Sequence, residues 1–313
     1  MLSTAGLANA GGARWRARKL KSVTYMSPNT TGALLMMASM AAFTLNDTLL
    51  KLTEGAVPLE QLLFLRGALS SLLIYVLARS LGTLRFHVAR RDWMLIAVRA
   101  GAEVGAAYFF VTALLNMPLA NVTAILQALP LTVAVGAALV FREPLGWRRM
   151  SAILIGFMGM LLIVRPGTEG FSLWSGYALV AVVCVTVRDL ATRRLSPDVP
   201  SMTVTLASSI AVTVSFGLAS TLTAWAPVTL PLGWLIAGAS VFIIGGYFFS
   251  IRAMRVGEIG FIAPFRYTGL VWALVLGWVV FADWPSNLTL LGALIVVAMG
   301  LFTLYRERKV SQR

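Results

Sequence analysis

The chain is predicted to be an all-α integral membrane protein, with ten transmembrane helices arranged as two inverted five-helix repeats. Three observations predict it. Hydrophobic residues make up 58% of the 313 positions and charged residues 12%, and mean hydropathy is +0.83, too apolar for a soluble domain of this size. The apolar residues come in runs with no polar face, as at 131–140 and 271–281, and a run of about 20 residues suits one helix across a hydrocarbon core of ~30 Å. Finally, residues 113–166 read again at 253–307, with the opposite charge pattern at the helix ends.

The repeat has a nearly constant offset. At 140, Gln127 falls on Tyr267, Phe141 on Phe281 and Glu143 on Asp283. At 141, Trp93 meets Trp234, Met158-Gly159 meets Met299-Gly300, and Arg165 meets Arg306. At 142, Thr44, Asp47, Lys51 and Pro58 meet Thr186, Asp189, Arg193 and Pro200. A period this long exceeds any solenoid unit, so it signals two fused halves. The expected organisation is a basic tail at 1–28, a first half at 29–170, a second at 171–306 and a cytoplasmic tail at 307–313.

Taken in order, the spans are expected near 31–52, 59–78, 93–115, 118–140, 150–165, 172–190, 201–223, 231–252, 256–281 and 286–305. Pro58, Asn116-Met117-Pro118, Arg165-Pro166-Gly167, Ser196-Pro197 and Trp284-Pro285 punctuate the gaps, because these residues stop helices and start turns. With the N-terminus inside, 20 of the 26 lysines and arginines fall on inside segments, and only Lys51 and Arg165 fall outside. Cytoplasmic loops carry the excess of basic charge, so both termini are expected in the cytoplasm of a cell inner membrane. The inversion is visible in the same charges. The segment 79–92 holds four arginines and its counterpart 224–233 none; the loop 142–149 is basic, and its counterpart near 283–286 carries only Asp283. A chance likeness of two apolar stretches does not reverse loop charge.

The net charge of +14 does not indicate a nucleic-acid partner, since the basic residues are spread over short loops between apolar runs. One cysteine, Cys184, and one histidine, His87, exclude an intrachain disulfide and argue against a Cys/His metal site. They also argue against a Ser-His-Asp hydrolase. No cofactor is expected. Residues 1–25 hold a basic cluster, Arg14-Trp15-Arg16-Ala17-Arg18-Lys19, without an apolar run; they are not a secretory signal and suit an anionic inner leaflet, unless translation starts at Met26.

At 130–167 the chain runs Pro130-Leu-Thr, then Val140-Phe-Arg-Glu-Pro-Leu-Gly-Trp-Arg-Arg, then Gly156-Phe-Met-Gly-Met-Leu-Leu-Ile-Val-Arg-Pro-Gly. An apolar span ending in Glu143, a short basic stretch and a Gly-rich span closing on Val-Arg-Pro resemble an EamA-type member of the drug/metabolite transporter superfamily. The second copy, at 276–306, is a degenerate version. The resemblance covers most of 30–306. It implies a ten-helix carrier with inverted five-helix repeats, and a central cavity lined largely by helices three, four, eight and nine. It also implies cargo such as amino acids, nucleosides, vitamins, polyamines or drugs.

Ionisable groups inside a span cost roughly 2.5–3.5 kcal/mol at its centre, so each needs a partner or water. Arg99 and Glu103 share one face of the third span, and their repeat partners, Ser240 and Ile244, are not ionisable. That asymmetry favours substrate recognition over a structural ion pair. Tyr108 is placed on the same face. Gln127 and its counterpart Tyr267 sit at matching depth, with Arg266 beside Tyr267 and deep in the ninth span. Arg266 suits a carboxylate, Tyr267 or Trp272 suits a flat ring, and Arg66 either binds an anion or pairs with Asp47. Pro130 and Pro264 allow bends where helices line a wet cavity. Asp47, four residues before Lys51, is the expected coupling-proton site, unless the two form an ion pair. Asp189 repeats it beside Arg188, so both positions suit a gate. Gly101-x-x-x-Gly105 is expected to let helices approach.

The expected function is secondary transport by alternating access: a small polar metabolite, with the lipid bilayer as the other partner. No Walker-type loop is present, so ATP does not drive it directly; coupling to a proton and simple facilitated exchange are both left open. A riboflavin-like vitamin is the first choice of substrate, with uptake as the direction. Amino acids and S-adenosylmethionine-like nucleosides, imported or exported, are the alternatives. A membrane-embedded transferase would need an acidic or histidine cluster at an interface, which these short basic loops lack. A homodimer is left open.

Overall fold

The structure is a computed structural model that describes residues 27–84, 88–142, 147–164, 172–256 and 262–311. The basic tail, His87, Glu143-Pro144 and Arg165-Pro166-Gly167 lie outside the described residues. The helices are α1 (Pro28–Lys51), α2 (Leu59–Ser80), α3 (Arg90–Asn116), α4 (Leu119–Leu126), α5 (Leu129–Phe141), α6 (Trp147–Val164), α7 (Leu173–Arg193), α8 (Ser201–Ser220) and α9 (Leu230–Val256). A 3-10 turn, Ala263–Tyr267, then leads into α10 (Thr268–Phe281), and α11 (Asn287–Ser311) completes the chain. α4 with α5 makes the fourth span, and the 3-10 turn with α10 the ninth. Among the described residues, eight helical stretches are long and apolar enough to cross a membrane, and two shorter apolar helices cover Met150–Val164 and Asn287–Phe302. α11 continues to Ser311, past the expected end of the last span at 305.

Local chemistry sets the ends. Ser27 accepts from the Thr30 amide and starts α1, Ser172 does the same for α7, and Ser286 accepts from the Thr289 amide at the start of α11. Each serine satisfies one donor that a helix N-terminus leaves free. The matched prolines Pro58 and Pro200 both stand immediately before a helix, where a missing amide hydrogen costs nothing. The fourth span breaks just before Pro130, and the ninth narrows to 3-10 geometry around Pro264. At the other end of each bent span the backbone turns left-handed: Arg142 has φ 55° and Ala282 φ 54°. Left-handed residues end helices by presenting amides to the last carbonyls, and here they follow the matched residues Phe141 and Phe281.

Packing pairs a helix of the N-terminal part with one of the C-terminal part: α1 with α9, α2 with α8, α3 with α7, and α6 with α11. The residues in contact run in opposite directions in every seam. Gly67 meets Thr213 and Phe64 meets Gly217 between α2 and α8, while Gly159 meets Ile295 and Gly156 meets Met299 between α6 and α11. Small residues permit this closeness: a Cβ on Gly292 would stand 2.5 Å from the Gly159 carbonyl oxygen. The expected Gly101-x-x-x-Gly105 contact is not what forms. A Cβ on Gly101 would meet nothing within 4 Å, and only Gly105 faces a neighbour, Cys184.

Leu50, Leu62, Leu63, Leu114, Leu119, Ile125 and Leu131 are fully buried in the core. Leu139, Trp147, Leu222, Leu230 and Trp234 are largely exposed. An outer surface this apolar belongs in lipid, with backbone groups satisfied inside the helices. The chain is a multi-pass membrane protein.

Candidate functional site

Four helices, α2, α3, α8 and α9, cross around one polar cavity. Its walls are Arg66, Gly67, Ser70 and Ile74 from α2, Arg99 and Glu103 from α3, Thr205, Ser208, Ser209 and Val212 from α8, and Ile243 and Tyr247 from α9. These are spans two, three, seven and eight, whereas the resemblance implied three, four, eight and nine. The difference has a physical basis: the fourth and ninth spans place mainly apolar side chains inward, as Leu131, Ala134 and Ala273 show. The cavity volume is about 40 Å³. That admits a few waters but not a metabolite, whose pocket is typically ~300 Å³ or more, so the helices must part for cargo to enter.

One wall is an ion-pair network. Arg99 and Glu103, an i,i+4 pair, stand 3.9 Å apart. Arg188 reaches Glu103 at 3.4 Å and Asp189 at 2.9 Å, donating through both Nη2 and Nε to one Asp189 oxygen. Arg99 donates from Nε to Thr192 Oγ1 at 3.0 Å and from Nη1 to Ser208 Oγ. Arg99 is thus held by two hydroxyls, and Glu103 lies between two guanidinium groups. Buried charges persist only when paired and hydrogen-bonded in this way.

Asp47 accepts from Asn46 Nδ2 at 2.8 Å and faces Arg66 electrostatically. The Asp47–Lys51 ion pair does not form. Lys51 instead donates to the carbonyls of Leu114 (3.2 Å) and Met117 (2.9 Å) at the end of α3, where a helix C-terminus attracts a cation. Asn46-Asp47 and Arg188-Asp189 occupy matched places in the sequence repeat, and in each dyad the first residue's side chain donates to the aspartate.

Other expected residues lie away from the cavity. Tyr108 is part-exposed and packs on Phe109 at 5.3 Å and Tyr177 at 6.4 Å. It stands five residues beyond Glu103, which turns it about 140° round a helix of 3.6 residues per turn, so the charged and aromatic faces are separate. Gln127 caps α4 and lies against Gly269. Arg266 is exposed at the 3-10 turn. Tyr267 is buried with its hydroxyl unpartnered, packed against Gly300, and Trp272 is 36% exposed. None of these five lines the cavity.

The cavity also recruits residues that sequence reasoning missed: Ser70, Thr205, Ser208 and Ser209. The repeat offered a signal. At its offsets Arg99 falls on Ser240 and Arg66 on Ser208, and the structure joins both pairs crosswise. Arg99 donates to Ser208, and Ser240 Oγ donates to the Arg66 carbonyl at 3.4 Å. Each crossing thus pairs one arginine with one serine, on opposite helices in the two halves.

Residues 30–165 match the EamA-like transporter family. The chain is similar to the pseudopaline exporter CntI of Pseudomonas aeruginosa, 26% identical over 89% of this chain and 97% of that protein. It is similar to the riboflavin transporter of Vibrio cholerae, 26% identical over 90% of this chain and 95% of that one. The S-adenosylmethionine uptake transporter of Rickettsia prowazekii matches at 25% identity over 61% of this chain and 65% of its own length. A solved crystal structure superposes with a TM-score of 0.63 at 20% identity, covering 88% of this chain and 98% of its own. That likeness concerns the fold alone.

Proposed function

We propose that the chain is a secondary transporter that carries a small polar metabolite by alternating access. The observation that carries the reading is the cavity where α2, α3, α8 and α9 cross, with Arg66, Arg99 and Glu103 in its walls. Ionisable groups at such a place in a membrane-spanning bundle are costly to bury and by default mark a substrate path. Inverted repeats are supported by the antiparallel seams between matched helices, α2 with α8 and α6 with α11. An inner-membrane location with cytoplasmic termini is supported by the distribution of lysine and arginine.

For the cargo, a riboflavin-like vitamin draws support from the Vibrio cholerae relative. The cavity favours the other reading, an amino acid or S-adenosylmethionine-like zwitterion. Tyr267 and Trp272, assigned to stack a flat ring, are not in its walls, which carry two arginines, a glutamate and hydroxyls, with Tyr247 as the one aromatic residue among the described lining. Reconstitution in vesicles followed by counterflow against riboflavin, S-adenosylmethionine and amino acids tests both levels. Saturable counterflow is expected; flux that neither saturates nor exchanges would indicate a channel and end the carrier reading.

A further inference from the structure

Two arginines line the cavity, Arg66 and Arg99. Arg99 donates to Thr192 and Ser208, whereas Arg66 Nε is buried without a partner, and so is Ser70 Oγ. Arg66 and Ser70 are four apart on α2 and hence on one helix face. The repeat accounts for the difference: Arg66 stands where Ser208 stands in the other half, and Thr192 and Glu103, which Arg99 meets, have Leu50 and Ile244 at the matching positions. Arg66 interacts with Asp47, Glu103 and Tyr247 only through longer-range electrostatics. Glu103 is already engaged by Arg188 and Arg99.

We propose that Arg66 and Ser70 are the anchor for a carboxylate, and that the carried molecule is a zwitterion bearing one. The proposal rests on the carrier reading above. A guanidinium offers a planar fork of donors that matches a carboxylate, and the serine hydroxyl adds one more donor a turn away. The cavity walls carry Arg66 and Arg99 beside Glu103, charges of both signs that a zwitterion matches.

The test uses the full-length protein, in detergent for thermal-shift titration and in vesicles for counterflow. The probes are twins that differ in the carboxylate: S-adenosylmethionine against its decarboxylated form, and tryptophan against tryptamine, with riboflavin as a carboxylate-free third. The expected result is that a carboxylate member binds at least about tenfold more tightly than its twin, the size of a charge-assisted hydrogen bond. Arg66→Gln is expected to erase that preference and Ser70→Ala to narrow it. If Arg66→Gln does not fold, Arg66→Lys and Ser70→Ala carry the comparison. Twins that bind equally, a preference that survives in the variants, or a panel in which nothing binds overturns the anchor. Counterflow of riboflavin without any carboxylate ligand overturns the anchor and keeps the carrier. Carboxylate-selective binding without counterflow keeps the anchor and sinks the carrier.

Discussion

Lys51 Nζ stands 5.4 Å from the centre of the Phe281 ring, and the residue matched to Lys51 in the second half, Arg193, stands 5.5 Å from the ring matched to Phe281, that of Phe141. Arg194 joins the second contact at 4.9 Å and donates to the Val140 carbonyl at 3.4 Å. Each contact ties the last turn of α1 or α7 to the end of a bent span in the other half. Under the carrier reading these are the latches at the two ends of the path.

Cation–π contacts contribute about 0.5–2 kcal/mol, enough to shift an equilibrium between open forms severalfold. Lys51→Ala is expected to favour the form open at the Lys51 end, and Arg193→Ala with Arg194→Ala the form open at the other. The readout is labelling of Ser208→Cys by an impermeant maleimide in a Cys184→Ser background. Labelling of both variants from the same side would dismiss the latches.

The Glu103 carboxylate between Arg99 and Arg188 predicts strong non-additivity. Removing the acid alone in Glu103→Gln leaves Arg99 and Arg188 short of a counter-charge, at a cost of about 3 kcal/mol. Glu103→Gln combined with Arg188→Gln removes both signs, so it is expected to lose less stability than the sum of the two single changes. Melting of the purified variants measures the coupling; simple additivity would mean that the groups do not act as a unit.

Glycine substitutions should separate contact from coincidence. Gly292→Ala places a methyl group against the Gly159 carbonyl and is expected to cost about 1–3 kcal/mol. Gly101→Ala meets no atom within 4 Å and is expected to be neutral, or stabilising by up to about 1 kcal/mol. Equal melting temperatures for the two variants would contradict the seam.

Asp47 carries the coupling proposal. Asp47→Asn keeps the shape and the Asn46 neighbour but cannot ionise. Uptake driven by an imposed pH gradient is expected to fall at least about tenfold while counterflow persists. Loss of both modes together would assign Asp47 to folding or binding instead of coupling.

Much of this architecture was legible because hydrophobic runs and their punctuation are local. Pro58, Pro118 and Pro200 each precede a helix where the sequence puts a boundary, and Pro130 and Pro264 mark the two places where spans bend. The charged cluster was legible in part: Arg66, Arg99, Glu103, Arg188 and Asp189 stand out because charge inside an apolar run is expensive. What the sequence did not disclose is which arginine meets hydroxyl partners, since those arrive from α7 and α8, far away in the chain. Tyr108 was misplaced by treating five residues as one turn. Arg266 was assigned to the cavity from its place in an apolar run, whereas its side chain is exposed and not among the cavity lining.

The Gly159–Gly292 crossing also limits how the molecule can move. Backbones that touch leave no slack for sliding, so α6 and α11 must travel as one plate, and any opening has to come from rotation elsewhere. A disulfide staple made by Ser71→Cys with Ser209→Cys, whose native hydroxyls are 2.8 Å apart beside the chamber, should freeze that rotation.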